Sequence, residues 1–305
     1  MFERILYPTA FEEFSMPILH AVSCLKPSGL EEIILLHVIE TDGPYATFDK
    51  GYPDILEPAR VKVETLREAA ARQLESFAEY LLSRGIRVRT RVTIGQLIPE
   101  IMKAATDTDS TLIIAGRQKR DILGELFVGS TTDRIIRKSK VPVLVAKYHT
   151  LQEIEGEVCE HFCVDMFSRI LYPTDWSACA ERARQTIRLL HKAGASELVL
   201  LHIVEDLPYD DIPRSLWEKT RQDLVERNKE KLEVMKREFA EEGFRVKTRV
   251  IQGKPTKVIL ETASEEDVSL IVMGSHGRGF IEGILWGSVS QRVVEYSEKP
   301  VLVVK

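Results

Sequence analysis

Short apolar runs alternate along the chain with longer stretches whose apolar positions recur at helical spacing, and the whole alternation occurs twice. In the second half the apolar runs are Ile170–Tyr172, Leu198–Val204, Arg245–Ile251, Leu270–Met273 and Val301–Val304. They read as strands. Several lack strict polar alternation, as expected where both faces of a sheet are covered. Leu216, Leu224, Leu232, Met235 and Phe239 fall on one stripe of a long helix, with Pro213 suited to its first turn and Gly243 to its C-terminal end. Leu66, Ala70, Leu74, Phe77 and Leu81 trace the matching stripe in the first half, ending at Gly85. Strands alternating with helices up to a fifth strand predict an α/β fold with an open, doubly wound parallel sheet in each half. Ligands of such sheets bind beyond the carboxyl ends of the strands, where strand order reverses. The segments after the first and fourth strands are therefore where chemistry is expected.

The two halves share sequence as well as pattern. RILYPT occurs at 4–9 and 169–174, LLHVIE at 35–40 answers LLHIVE at 200–205, and PVLVAK at 142–147 answers PVLVVK at 300–305. His37 and His202 are 165 positions apart (202 − 37), whereas Gly95 and Gly253 are 158 apart (253 − 95), so the first half carries seven extra residues between those landmarks, expected around Thr41–Glu57. A repeat of this length is a duplicated domain, and 305 residues suit two domains of ordinary size. The expected division is a domain over 1–148, a linker over 149–167 and a domain over 168–305. The linker carries Glu153, Glu155, Glu157 and Glu160, and its EIEGEVC stretch could form a small extra strand or hairpin.

Composition narrows the function. Hydrophobic residues at 44% and charged residues at 29% support two soluble cores, and a net charge of −5 argues against a general nucleic-acid binder. No basic-then-apolar leader and no apolar run near the ~18–20 residues of a membrane span is present, so a cytoplasmic location is expected. Cys24, Cys159, Cys163 and Cys179 are too few and too irregular for a disulfide scaffold. Cys159, His161 and Cys163 lie together, but no second ligand pair accompanies them, so a linker reading is preferred to a zinc site.

The fourth strand of the second half runs into VMGSHGRGFIEGILWGSVSQRV, which holds Gly274-x2-Gly277-x9-Gly287-Ser288. Gly274 and Gly277 would allow positive φ and, lacking Cβ, let backbone approach a ligand closely. Gly287-Ser288 opens an amphipathic helix whose first-turn N–H groups favour phosphate, and Ser288 and Ser290 add hydroxyls. No Gly-Lys-Ser/Thr ends the glycine run, so this is not a Walker loop. Asp175 follows the first strand in ILYPTDWS and could bind a ligand or cap the helix starting near Ser177.

With these motifs in this order, the chain outside the linker resembles the universal stress protein family as a tandem of two domains. GSHGRG at 274–279 and KPVLVVK at 299–305 are similar to the ATP-binding branch. The resemblance implies two Rossmann-like domains of the adenine nucleotide alpha hydrolase-like type, each with a five-stranded parallel sheet in the order 3-2-1-4-5. It implies that Asp175 bonds adenine or ribose, that Pro173 and Thr174 line the base pocket, and that Ile203 meets adenine through its backbone. Met273 and Gly274 would face the ribose, and His276 and Gly277 the phosphates. Gly287, Ser288, Val289 and Ser290 would hold phosphate. The cofactor would be ATP or AMP, with Mg²⁺ a companion of ATP. The final strands, Val141–Ala146 and Val301–Val304, would pair the domains, and a homodimer of tandems stays open.

The first half departs from this pattern. Ala10 stands where the second half has Asp175, and Lys119 where it has Gly277, while Gly116, Gly129, Ser130, Thr131 and Thr132 remain. Losing the carboxylate removes a bond worth about 1.5–3 kcal/mol, and a lysine at a positive-φ position would add about 1–2 kcal/mol of strain. The first site is thus expected to be weak or empty, although Arg117, Lys119 and Arg120 leave a cationic loop open to another anion. The function expected is a stress-related adenine-nucleotide binder. The alternatives are a slow ATP hydrolase or phosphotransfer enzyme using His276, Arg278, Ser288 and Ser290, and an interaction module with a structural nucleotide.

Overall fold

The computed structural model describes residues 2–11, 15–40, 53–117, 130–147, 166–205, 214–277 and 286–305. The first half comprises β1 (Arg4–Pro8), α1 (Ser15–Ser23), β2 (Glu32–Glu40), α2 (Pro53–Ser83), β3 (Arg87–Gly95), α3 (Leu97–Asp107), β4 (Leu112–Arg117), α4 (Ser130–Lys138) and β5 (Val143–Lys147). The second comprises β6 (Arg169–Pro173), α5 (Ala178–Leu190), β7 (Glu197–Val204), α6 (Arg214–Glu241), β8 (Arg245–Gln252), α7 (Pro255–Glu265), β9 (Leu270–Gly274), α8 (Ser288–Tyr296) and β10 (Val301–Val304). Residues Pro213, Lys119, Arg120 and Gly129, and the cysteine-containing linker, lie outside the described residues.

The strands form one sheet in the order β3-β2-β1-β4-β5-β10-β9-β6-β7-β8. Within each half the strands are parallel and run 3-2-1-4-5. The halves do not carry separate sheets. β5 and β10 pair antiparallel, with Val143, Leu144 and Val145 opposite Val303, Leu302 and Val301. Each of these strands would otherwise expose an apolar edge, and pairing covers both edges at once. Strand alternation sends Ile5 and Tyr7 into a core layer with Leu19, Leu74, Ile187 and Phe239, from α1, α2, α5 and α6. Leu6 faces the other layer, with Ile101, Ile136, Val258 and Val293 from α3, α4, α7 and α8.

The long helices depart from expectation at their N-terminal ends. Ala70, Leu74 and Leu81 are buried, as are Leu232, Met235 and Phe239, but Leu66 and Leu224 stand 47% and 37% exposed. α2 has 31 residues and so spans about 46 Å at 1.5 Å per residue. The nine residues of β2 reach only about 30 Å. Each helix is thus longer than the strand beside it, and Leu66 and Leu224 both lie in the N-terminal half of their helix. Gly85 (φ 69°) and Gly243 (φ 96°) end the two helices in the left-handed region. Met166 and Phe167, read from the sequence as the last linker residues, are packed in the core. Phe167 sits 165 positions after Phe2 (167 − 2), its buried counterpart in the first half.

Candidate functional site

The crevice begins where β6 stops. Pro173 ends the strand, and Thr174 N–H donates to Leu201 O (2.9 Å), while His202 Nδ1 bonds Thr174 O (2.8 Å). His202 is thus a buried brace for this turn, not a ligand candidate. The chain then reverses. Trp176 N–H donates to Thr174 Oγ1 (3.1 Å), and Trp176 adopts φ 66°. That conformation costs roughly 1–2 kcal/mol in a residue with a side chain. The indole is held against His202 (5.4 Å between ring centroids), donates from Nε1 to Asn228 Oδ1 (2.8 Å) and lies under Lys231 Nζ (5.0 Å). The reversal leaves Asp175 half-buried at the mouth, its Oδ1 accepting from Ser177 N–H (3.0 Å). The cap of α5 is Ser177, whose Oγ accepts from Ala180 N–H (3.2 Å); Asp175 orders the turn before it.

The second wall comes from β9 and α8. Neither Gly274 nor Gly277 has the positive φ expected of it; each is glycine because of what lies beside it. A Cβ on Gly274 would sit 2.8 Å from backbone and side-chain atoms of Cys179, so this glycine lets β9 pack against the start of α5. A Cβ on Gly277 would sit 2.7 Å from Asp175 Oδ2, so this glycine abuts the carboxylate. Ser275, fully buried and not singled out in the sequence, is the hub of the wall. Its N–H donates to Val304 O (2.7 Å) and its carbonyl accepts from Gly287 N–H (2.8 Å) and Ser290 Oγ (2.8 Å). Its hydroxyl meets His276 Nδ1 (2.8 Å), and His276 O accepts from Ser177 Oγ (3.2 Å), closing the two walls together.

The twelve sequence-assigned residues separate into groups. Asp175, His276, Gly277 and Gly287 are brought together at the crevice, with Thr174 beneath as part of the turn. Gly287 (φ −74°, ψ 145°) precedes the first turn of α8, where Ser288 is exposed and Val289 half-buried. Amides of such a turn have no partner inside the helix and are available to an anion. Ser290 is buried, and its hydroxyl is committed to Ser275 O and Gly287 O (3.0 Å), so it pins the turn rather than facing outward. Pro173 and Met273 are buried at the strand ends, and Ile203 and Val289 border the same core layer. A cleft of ≈ 730 Å³ opens beside Ser288 and Val289, lined also by Glu205, Lys254, Lys257 and Arg292. Residues 278–285 lie outside the described residues, and with them Arg278. Burial pushes the Tyr172 phenol well above its usual range, and it donates to Ala180 O (2.7 Å), a purely structural bond beneath the site.

The first half repeats the turn but not the carboxylate. Phe11 adopts φ 64°, donates its N–H to Thr9 Oγ1 (2.9 Å) and stacks on His37 (4.5 Å), which bonds Thr9 O (2.9 Å). Thr132, in the place of Ser290, donates from Oγ1 to Gly116 O (3.2 Å), one residue before the counterpart of Ser275. Ala10 is exposed in the place of Asp175. Gly277 does not use positive φ, and a side chain in its place would collide with the Asp175 carboxylate. Lys119, which takes that place in the first-half sequence, lies outside the described residues.

Among the described residues, no helix is long and apolar enough to cross a membrane, and no group of three or more His, Cys, Asp or Glu is placed to hold a metal. The family model described as "Universal stress protein family" matches residues 1–147 and 166–305. Universal stress protein MJ0577 of Methanocaldococcus jannaschii is 36% identical over 155 residues, covering 46% of this chain and 96% of that protein. A universal stress protein of Mycolicibacterium smegmatis is 26% identical over 276 residues, covering 90% of this chain and 87% of the relative. The crystal structure of a universal stress protein from Archaeoglobus fulgidus is similar throughout, with TM-score 0.69, 25% identity, and coverage of 99% of this chain and 96% of that one.

Proposed function

The chain belongs to the universal stress protein family, and we propose that it is a cytoplasmic stress-response protein that binds ATP or AMP in the crevice of its second half. The observation that carries this reading is the abutment of Gly277 on Asp175, with Gly287 and the first turn of α8 brought alongside through Ser275. A carboxylate at one end of the crevice offers two acceptor oxygens to ribose hydroxyls or the adenine amino group. The α8 amides and Ser288 Oγ at the other end offer donors to phosphate. Ile203 and Val289 supply the apolar border that a base requires. Mg²⁺ would accompany ATP on its phosphates.

The first half, with Ala10 and Lys119, leaves its equivalent crevice without the carboxylate and acts as a structural partner. Pairing of β5 with β10 supports an arrangement in which one chain supplies both members of the domain pair. The test is chromatography of small molecules released when freshly purified protein is denatured. An adenine nucleotide at close to one per chain supports the proposal. Protein free of nucleotide that also fails to take up added ATP and AMP defeats it.

A further inference from the structure

The first half reaches across the β5–β10 joint and holds the helix on which the proposed phosphate contacts depend. Lys147, at the end of β5 and only 4% exposed, donates from Nζ to Val294 O (2.5 Å) in the last turn of α8. Its ammonium faces the negative end of the helix dipole and satisfies a carbonyl the helix leaves over. Arg137 of α4 donates from Nη2 to Gln291 Oε1 (3.1 Å) and places its guanidinium 5.7 Å from the ring centroid of buried Trp286. Asp133 Oδ2 fixes that guanidinium by accepting from Nε (2.7 Å). Trp286, Gln291 and Val294 mark the entry, middle and end of α8, so the first half grips it along its length.

The lysine contact is reciprocal, because Lys305 donates to Ile136 O of α4 and stands 158 positions from Lys147 (305 − 147). The arginine contact runs one way: 158 positions after Arg137 the chain has Glu295. Among the described residues, α8 is held from the neighbouring half by an arginine as well as a lysine, and α8 belongs to the half that retains Asp175 and Gly277. Building on the nucleotide reading above, we infer that the first half is a positioning element of the second half's site. Lys147 and Arg137 set the depth and rotation of α8, and thereby where the amides of its first turn and Ser288 point. By linkage, a ligand on that turn tightens the joint between the halves.

The experiment uses the full chain and four proteins: the unsubstituted chain, Lys147→Met, Lys147→Arg and Arg137→Met. Two readouts are taken: ATP affinity by calorimetry, and hydrogen exchange of the Ser288–Gln291 amides without ligand. Both methionine variants should weaken ATP binding, by roughly tenfold for Lys147→Met, and should exchange faster at those amides. Lys147→Arg keeps a donor and should stay within about threefold of the unsubstituted chain on the same scale. Methionine variants with unchanged affinity and unchanged exchange overturn the inference. Should Lys147→Met fail to fold, Arg137→Met decides alone, since that side chain is 40% exposed. An unsubstituted chain that binds neither ATP nor AMP refutes the nucleotide reading instead, and the exchange readout still decides this one.

Discussion

Replacing Gly277 by alanine tests the contact on which the crevice is built. The new Cβ would lie 2.7 Å from Asp175 Oδ2, and Asp175 cannot turn away freely because Ser177 N–H holds Oδ1. Relieving the collision means shifting the loop or giving up that bond, at a cost of about 1–3 kcal/mol. Against this, alanine lowers the entropy of the unfolded chain and stabilises by about 0.4–1 kcal/mol where the backbone tolerates it. Gly277 lies outside the left-handed region, so it does. The sign of the effect therefore depends on Asp175. Denaturant unfolding of four ligand-free proteins (unsubstituted, Gly277→Ala, Asp175→Ala and the double variant) should show Gly277→Ala destabilising alone. In the Asp175→Ala background it should be neutral or stabilising, a coupling of about 1.5 kcal/mol. Equal effects in both backgrounds, with coupling below about 0.5 kcal/mol, would refute the steric reasoning.

Other expectations follow from the same geometry. Ser290→Ala removes one of two donors to Ser275 O; it should cost about 1 kcal/mol in denaturant unfolding and weaken ATP in a competition assay. Leu302→Ala, opposite Leu144 at the joint, should cost about 2–5 kcal/mol by the same unfolding measurement. Burial lowers the Lys305 ammonium from 10.5 to about 8, against a smaller opposing effect of Cys179. Between those values the unfolded chain binds the extra proton, so this residue's contribution is complete above 10.5 and is lost as pH falls through about 8. Melting temperature should therefore gain more between pH 8 and 10.5 in the unsubstituted chain than in Lys305→Met, and parallel profiles would contradict the assignment.

Much of the fold could be read directly because its signals are local and repeated. Apolar runs such as Leu198–Val204, interrupted by His202, mark buried strands, and the glycines after α2 and α6 mark helix ends. What escaped depends on distances between segments. Leu66 and Leu224 fit a helical stripe, but no periodicity reveals that a helix outruns its sheet. The joining of two sheets into one depends on which edges meet, and Val301–Val304 alone does not specify its neighbour. At the site, the residue types and spacing of Asp175, Gly277 and Gly287 mark segments that the fold brings side by side, but Gly274 and Gly277 do not use the positive φ that the sequence suggests. Gly274 and Gly277 answer to Cys179 and Asp175, some 100 residues earlier. Ser275 and Trp176 are not legible in the sequence, because a serine in a loop and a tryptophan after an aspartate carry no signal apart from the turn they build. Only the equivalence of Phe11 and Trp176 across the repeat could have suggested an aromatic needed at that corner.

Calorimetric titration of ATP into the intact chain, beside Asp175→Ala, decides whether the crevice of the second half holds the nucleotide. One nucleotide should bind per chain, with an affinity lowered at least tenfold by the substitution, the loss of a bond worth about 1.5–3 kcal/mol. Two equivalent sites per chain, or undiminished binding in Asp175→Ala, would contradict it.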